Sequence, residues 1–221
     1  MENEIKILFE DSHIVVCVKP IGMPSQSDPS GVQDLLSYLQ SERKEVYLIH
    51  RLDRGVGGVL VFAKTKQAAA ELSKQVSEKG NFRKTYHAVV AGKPLENGVL
   101  LDFLYHDKRL RKAFVVKGKR AGVKEANLTY TTLATSHIDG AEVSLLEIEL
   151  GTGRFHQIRV QFASRGHSLV GDGKYGSRIK CPLGLWASRL TFAHPVTKEL
   201  LSFSQKPKLE HLPFCIFASQ M

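Results

Sequence analysis

Short apolar runs, separated by glycines, prolines and charges along nearly the whole chain, set the strongest constraint on how this sequence can fold. They are ILF in the stretch from Ile5, IVVCV, VLVFA, TYHAVVAG, VLLDFLY, AFVV, LTYTTLA, VSLLEIEL, LTFA and LLSF. Each is strand-sized, rich in β-branched and aromatic residues, and bounded by turn formers, so each is expected to be a strand. Helical spacing is confined to Gln33 to Leu39, with Leu35, Leu36 and Leu39 on one side, and Lys66 to Glu78, with Ala69, Leu72 and Val76 on one side. From Phe155 to Ser164 the pattern fits either helix or strand. Many strands and few helices predict an α+β fold with a mixed, mainly antiparallel sheet and a few flanking helices.

No repeat of 20 to 50 residues and no Gly/Ser- or Pro-rich linker divides the 221 residues, so one domain over 1–221 is expected. With 43% hydrophobic and 24% charged residues the composition is that of an ordinary globular chain. The longest apolar runs fall far short of the roughly 20 residues of a membrane helix, so no membrane partner is expected. The opening MENEIK lacks the apolar core of a secretory signal, which predicts a cytoplasmic protein. Cys17, Cys181 and Cys215 form no CxxC pair and read as reduced, buried thiols; His50, His156 and His194 show no metal-ligand spacing, and no metal is expected.

The net charge of +9 suits a polyanionic partner, and its distribution is more informative than its size. From His106 to Lys124 the chain carries Lys108, Arg109, Arg111, Lys112, Lys117, Lys119, Arg120 and Lys124 against the single acid Asp107. This segment, at about 106–124, lies between two expected strands and reads as a basic insertion or protruding hairpin. Taken alone it is a solvated face as readily as a docking surface.

Chemistry-bearing residues gather at two further places. In IHRLDRGVGGVLVFAKT, from Ile49 to Thr65, His50, Arg51, Asp53 and Arg54 precede a buried strand, with Gly55, Gly57 and Gly58 read as the turn. The bland alternative is a surface ion pair between Asp53 and Arg51 or Arg54. In GTGRFHQIR, from Gly151 to Arg159, two glycines allow a tight turn that presents Arg154, His156, Gln157 and Arg159 to a phosphate or carboxylate. Between them, Tyr86 alternates with Ala88 and Val90 and so shares a strand face with core residues.

These blocks, in this order, resemble the RluA family of pseudouridine synthases. The resemblance runs from about Ile5 to Pro207 through VCVKPIGMPSQ, HRLD, VFAKT, KTYHAVVAG, LGTGRFHQIRV, GHSLVGDGKYG and LWASRLTFAHPVT. It implies a sheet with a central RNA-binding cleft and an RNA isomerase that works without a cofactor on ribosomal or transfer RNA. It also implies that Asp53 is the essential carboxylate, that Tyr86 packs on the target base, and that Arg159 pairs with the catalytic aspartate. With KPIG beginning at Lys19, an N-terminal RNA-binding module is not expected, and docking falls to Arg51, Arg54, Arg154, His156, Gln157, Lys108, Arg109, Arg111 and Lys112. No obligate protein partner is implied.

Those residue types suit the reaction. The N1 to C1′ bond of uridine must break, the uracil must rotate, and C5 must join C1′, with no net redox change. A carboxylate can act as nucleophile or proton acceptor, and a paired arginine keeps it ionised. Attack on the sugar, attack on the base and removal of a ribose proton all remain open for Asp53. A base stacked in RNA must first be flipped out; Tyr86 would recover about 1–3 kcal/mol by stacking, and Arg51 is placed in sequence to fill the gap.

The chain departs from the family pattern at Arg54-Gly55-Val56-Gly57-Gly58, where an acidic residue, Thr, Ser and Gly usually follow HRLD. Phe155 stands at a common threonine, Gln161 at a common histidine and Ser168 at a usual proline. Two other readings share the motifs: a catalytically silent RNA-binding relative, and a nucleosidase using Asp53 and Asp172 as paired carboxylates.

Overall fold

The apolar runs become strands almost one for one. The computed structural model describes residues 5–78 and 80–221; the charged opening residues 1–4 lie outside the described residues. The chain forms two compact units, Met1–Lys84 with Trp186–Pro207, and Thr85–Leu185 with Lys208–Met221.

In the first unit, β1 (Ile7–Glu10), β2 (Ile14–Lys19), β4 (Gly57–Ala63), β10 (Leu185–Ala193) and β11 (Leu200–Ser204) pair in that order, and the two-residue β3 (Tyr47–Leu48) also pairs with β4. All these pairings are antiparallel except β4 with β10. Every residue of β4 is buried, which is why VLVFA reads as a continuous apolar run. Helix α1 (Leu35–Glu42) starts at Asp34, whose carboxylate accepts from the Ser37 amide; α2 (Lys66–Ser77) starts at Thr65, whose hydroxyl accepts from the Ala68 amide. The buried stripe of α2 is centred on Ala68 and Leu72, with Ala69 at its margin, and it packs on Ile14, Val16, Val59, Val61, Leu190 and Phe192.

The second unit is an antiparallel sheet in the order β5 (Arg83–Ala91), β9 (Ala141–Leu150), β8 (Val123–Ile138), β6 (Asn97–Asp107), β7 (Lys112–Val116). The α+β, mainly antiparallel expectation is borne out. The β8/β9 hairpin turns on Asp139-Gly140, both at positive φ, the geometry that fits two-residue hairpins to strand twist. The ambiguous segment is helix α3 (Gln157–Ala163), whose Val160 packs with Leu104, Ala113, Ala126 and Tyr175. The basic stretch is the β6/β7 hairpin, its four-residue tip 108–111 closed by the Leu110 amide donating to Asp107, together with the connection into β8.

Two sequence readings need correction. Gly57 and Gly58 are not in the turn; they open β4 and pair in register with Trp186 and Ala187 of the parallel neighbour β10. A Cβ at 57 would overlap the Trp186 ring, and one at 58, where φ is +126°, would overlap the Ala187 carbonyl. Glycine is thus required there by close backbone approach. Gly58→Ala should lower stability by about 1–3 kcal/mol through this overpacking, read as a drop in the urea midpoint; an unchanged midpoint would remove the steric argument. The thiols are free, but only Cys17 is fully buried; Cys181 and Cys215 are half-buried.

Candidate active site

In the first unit, the loop between β3 and β4 carries HRLD. Leu52 and Val56 are buried and flank Asp53, which is half-buried, while Arg51 and Arg54 are exposed. The loop is held by its backbone. Ser25 Oγ donates to the Leu52 carbonyl at 2.9 Å and accepts from the Leu52 amide at 3.1 Å. The Val56 amide donates to the Asp53 carbonyl at 2.9 Å, and Gly22 and Arg54 bond each other through the Gly22 amide and through Arg54 Nε.

Lys19 ties these pieces together. Its side chain is wholly buried, yet its Nζ donates to the carbonyls of Pro20 at 2.9 Å and Met23 at 2.6 Å, and reaches that of Arg54 at 3.4 Å. Burial pushes the Lys19 ammonium down to about 7, and the nearby Asp53 charge pulls the other way. A buried lysine that joins the KPIG segment to the HRLD loop was not assigned a role from sequence; its place in the first motif was the available signal. His50 lies under the same loop, edge-on to Phe82 at 5.3 Å, and burial, followed by the Lys84 charge, holds it well below its ordinary value, so it is a neutral core ring.

In the second unit, GTGRFHQIR forms the approach to α3. Gln157 is buried, with its oxygen accepting from the Thr152 hydroxyl and the Arg154 amide and its nitrogen donating to the Asn127 carbonyl. Its amide is spent on shaping the turn. Arg154 is exposed, and its Nε donates to the Glu125 carbonyl at 2.9 Å. His156 sits at φ +52° before α3, with Nδ1 3.0 Å from the Tyr175 hydroxyl; burial, then the Arg159 charge, push it down to about 3. It therefore offers a neutral ring, not a cation.

Arg159 grips Asp172 in a fork, Nε donating to Oδ2 at 2.6 Å and an Nη donating to Oδ1 at 2.8 Å. Asp172 is almost wholly buried, so a nucleosidase that needs it as a free acid loses its second carboxylate. Tyr175 is the hub that sequence reading missed. Its hydroxyl accepts from the Ala113 amide at 2.8 Å, and its ring lies beneath Lys112 Nζ at 5.1 Å and the Arg159 guanidinium at 5.2 Å. Tyr86 is 7% exposed, opposite Ile148 in the sheet. Lys108, Arg109 and Arg111 are exposed at the hairpin tip, whereas Lys112 is half-buried against Tyr175.

Residues 13–164 match the model of a family described as RNA pseudouridylate synthase. The chain belongs to that family. It is an isomerase of the RluA type, as its relatives show across most of its length. It is 34% identical over 211 residues to an uncharacterized RNA pseudouridine synthase of Bacillus subtilis, covering 90% of this chain and 67% of the relative. It is 31% identical to a dual-specificity RNA pseudouridine synthase RluA of Vibrio vulnificus, covering 89% and 81%. With a tRNA pseudouridine synthase C of Vibrio parahaemolyticus the identity is 32%, covering 90% and 88%. The fold is shared with human RNA pseudouridylate synthase domain containing 1, at TM-score 0.78 and 20% identity over 92% of this chain and 84% of that one. It is shared also with human domain containing 4, at TM-score 0.71 and 24% identity over 91% and 88%.

Proposed function

We propose that this synthase converts uridines of ribosomal or transfer RNA to pseudouridine, with Asp53 as its catalytic carboxylate, Tyr86 against the target base and Arg159 as the orienting cation. The observation that carries the reading is the mounting of Asp53: a half-buried carboxylate on a loop whose backbone is bonded to Ser25 and Lys19, in a chain of this family. Such anchoring supports catalysis because a reacting group must be held close to its productive geometry. Bond by bond, N1 leaves C1′, C5 bonds to C1′, the C5 proton is released and N1 takes up a proton, so no oxidant or cofactor enters. Asp53 belongs to the first unit and Tyr86 and Arg159 to the second.

RNA docking is assigned to Arg51, Arg54 and Arg154, all exposed, and to the hairpin tip; Gln157, committed inside the turn, is reassigned from RNA contact to loop brace. The same reading places the enzyme in the cytoplasm, acting on RNA without an obligate protein partner. Pseudouridine mapping of total RNA from cells with and without the gene should show one or more ribosomal or transfer RNA sites that vanish with it. An unchanged map, with purified protein that still binds RNA, would favour the silent relative instead.

The tip makes a separate prediction. Changing Lys108, Arg109 and Arg111 to Gln leaves Lys112 on Tyr175 and removes only exposed charge. Affinity should fall for all RNA sequences, and the slope of log affinity against log salt should become shallower by roughly 2, at about 0.7 per lost phosphate contact on single strands. An unchanged slope would make these charges a solvated face.

A further inference from the structure

We propose that the rings of His106, Phe155 and His156 form a nucleobase platform that takes an unpaired base of the substrate RNA beside the one being isomerised. The inference rests on the reading of this chain as an RNA enzyme. Phe155 lies 3.9 Å from His106 at 22° and 3.9 Å from His156 at 21°. Two near-parallel rings at that distance cannot share one face of Phe155, so it is sandwiched and His106 ends the stack. Protein aromatic pairs usually sit roughly 4.5–7 Å apart, in offset or edge-on arrangements. A flat stack of three rings instead has the form of a single-strand base stack, onto which another base can add.

The surroundings favour a base over core packing. All three rings are half-buried; Phe155 packs against the core cluster around Leu104 and Tyr175 without being sealed in it. His106 stands two residue pairs below the hairpin tip, where Asp107 opposes Lys112 and His106 opposes Ala113, so a nucleotide on its outer face would meet the exposed tip cations with its phosphates. At the other end His156 bonds Tyr175, and the Arg159 guanidinium lies over that ring. The stack thus leads from the basic hairpin toward a residue assigned to the reaction. Phe155, the central ring of the sandwich, occupies the position where the family resemblance expects threonine.

The test uses the full chain and short single-stranded oligouridylates that each carry one 2-aminopurine, moved along the strand. Stacking on His106 should quench the fluorescence at one position on binding. His106→Ala should abolish that quenching and weaken binding about 5- to 150-fold, the range that single base stacks span, with the loss of turnover appearing in KM more than in kcat. His106→Phe, which restores a ring, should recover both, and this separates stacking from a folding defect. Quenching that survives His106→Ala, or affinity lost in both variants alike, would overturn the platform. A wild-type protein that quenches but never isomerises uridine would overturn the catalytic assignment and leave the platform standing.

Discussion

Asp53→Asn is expected to abolish isomerisation while the protein stays folded and keeps most of its RNA affinity. Positioned acid, base and nucleophilic groups commonly contribute about 10²- to 10⁴-fold, and here the carboxylate is assigned the central step, so the loss should reach the upper end of that range or exceed it. Asn keeps the shape of Asp, and the loop's anchors, the Ser25 bonds to Leu52 and the Lys19 bonds to the backbone, do not depend on the carboxylate. The loss would therefore report chemistry. One electrostatic side effect follows: Asp53 opposes the burial of Lys19, so its neutralisation should lower the Lys19 pKa further. Pseudouridine quantified by mass spectrometry after single-turnover incubation, alongside thermal melting, checks the outcome. Turnover near wild type by a folded Asp53→Asn protein would refute the assignment.

The strands were legible because their signal is local: alternation or continuous burial over a few residues is visible in each run. Even so, β3 passed unseen, since two residues carry no period, and β8 ran to sixteen residues where LTYTTLA suggested seven, because its charged start VKEAN pairs with β6 and its polar end TSHI pairs with β9. Helix α3 was ambiguous for a physical reason. Gln157, Ile158, Val160, Gln161 and Phe162 are all buried, so the segment has no polar face to reveal its period. Gln161 manages this by donating to Asp102 at 2.8 Å, as Gln157 does through Asn127.

What stayed hidden was non-local. The need for Gly57 and Gly58 comes from β10, more than a hundred residues away in sequence, and a turn was the natural local guess. Lys19 and Tyr175 stand inside the family-like motifs VCVKPIGMPSQ and GHSLVGDGKYG, but their roles depend on carbonyls and rings that only the fold collects. The position of HRLD on a loop before a buried strand was readable from the local order of charged residues, glycines and the apolar run VLVFA. The roles of Asp53, Tyr86 and Arg159 came from resemblance to the family, since burial and spacing alone made Asp53 an ion pair and Tyr86 a core ring.

The fork between Arg159 and Asp172 supplies the largest expected effect on stability. The Asp172 side chain is 1% exposed and that of Arg159 12%, so the pair has left water almost completely. It fixes α3 to the segment that carries Asp172 and Tyr175. Removing Arg159 leaves Asp172 as a buried charge, and removing Asp172 takes the forked partner from Arg159, each at a cost of about 3–5 kcal/mol. Asp172→Ala should therefore lower the melting temperature by roughly 6–20 °C in a chain of this size. Arg159→Ala should lower it comparably and abolish turnover as well, because it removes the group assigned to orient the catalytic carboxylate. The double substitution is the informative one. With neither charge left to strand, it should be less destabilised than the two single losses combined, by about 1–3 kcal/mol in a denaturation cycle. Additive losses would mean that the fork, despite its geometry, does not couple the two residues.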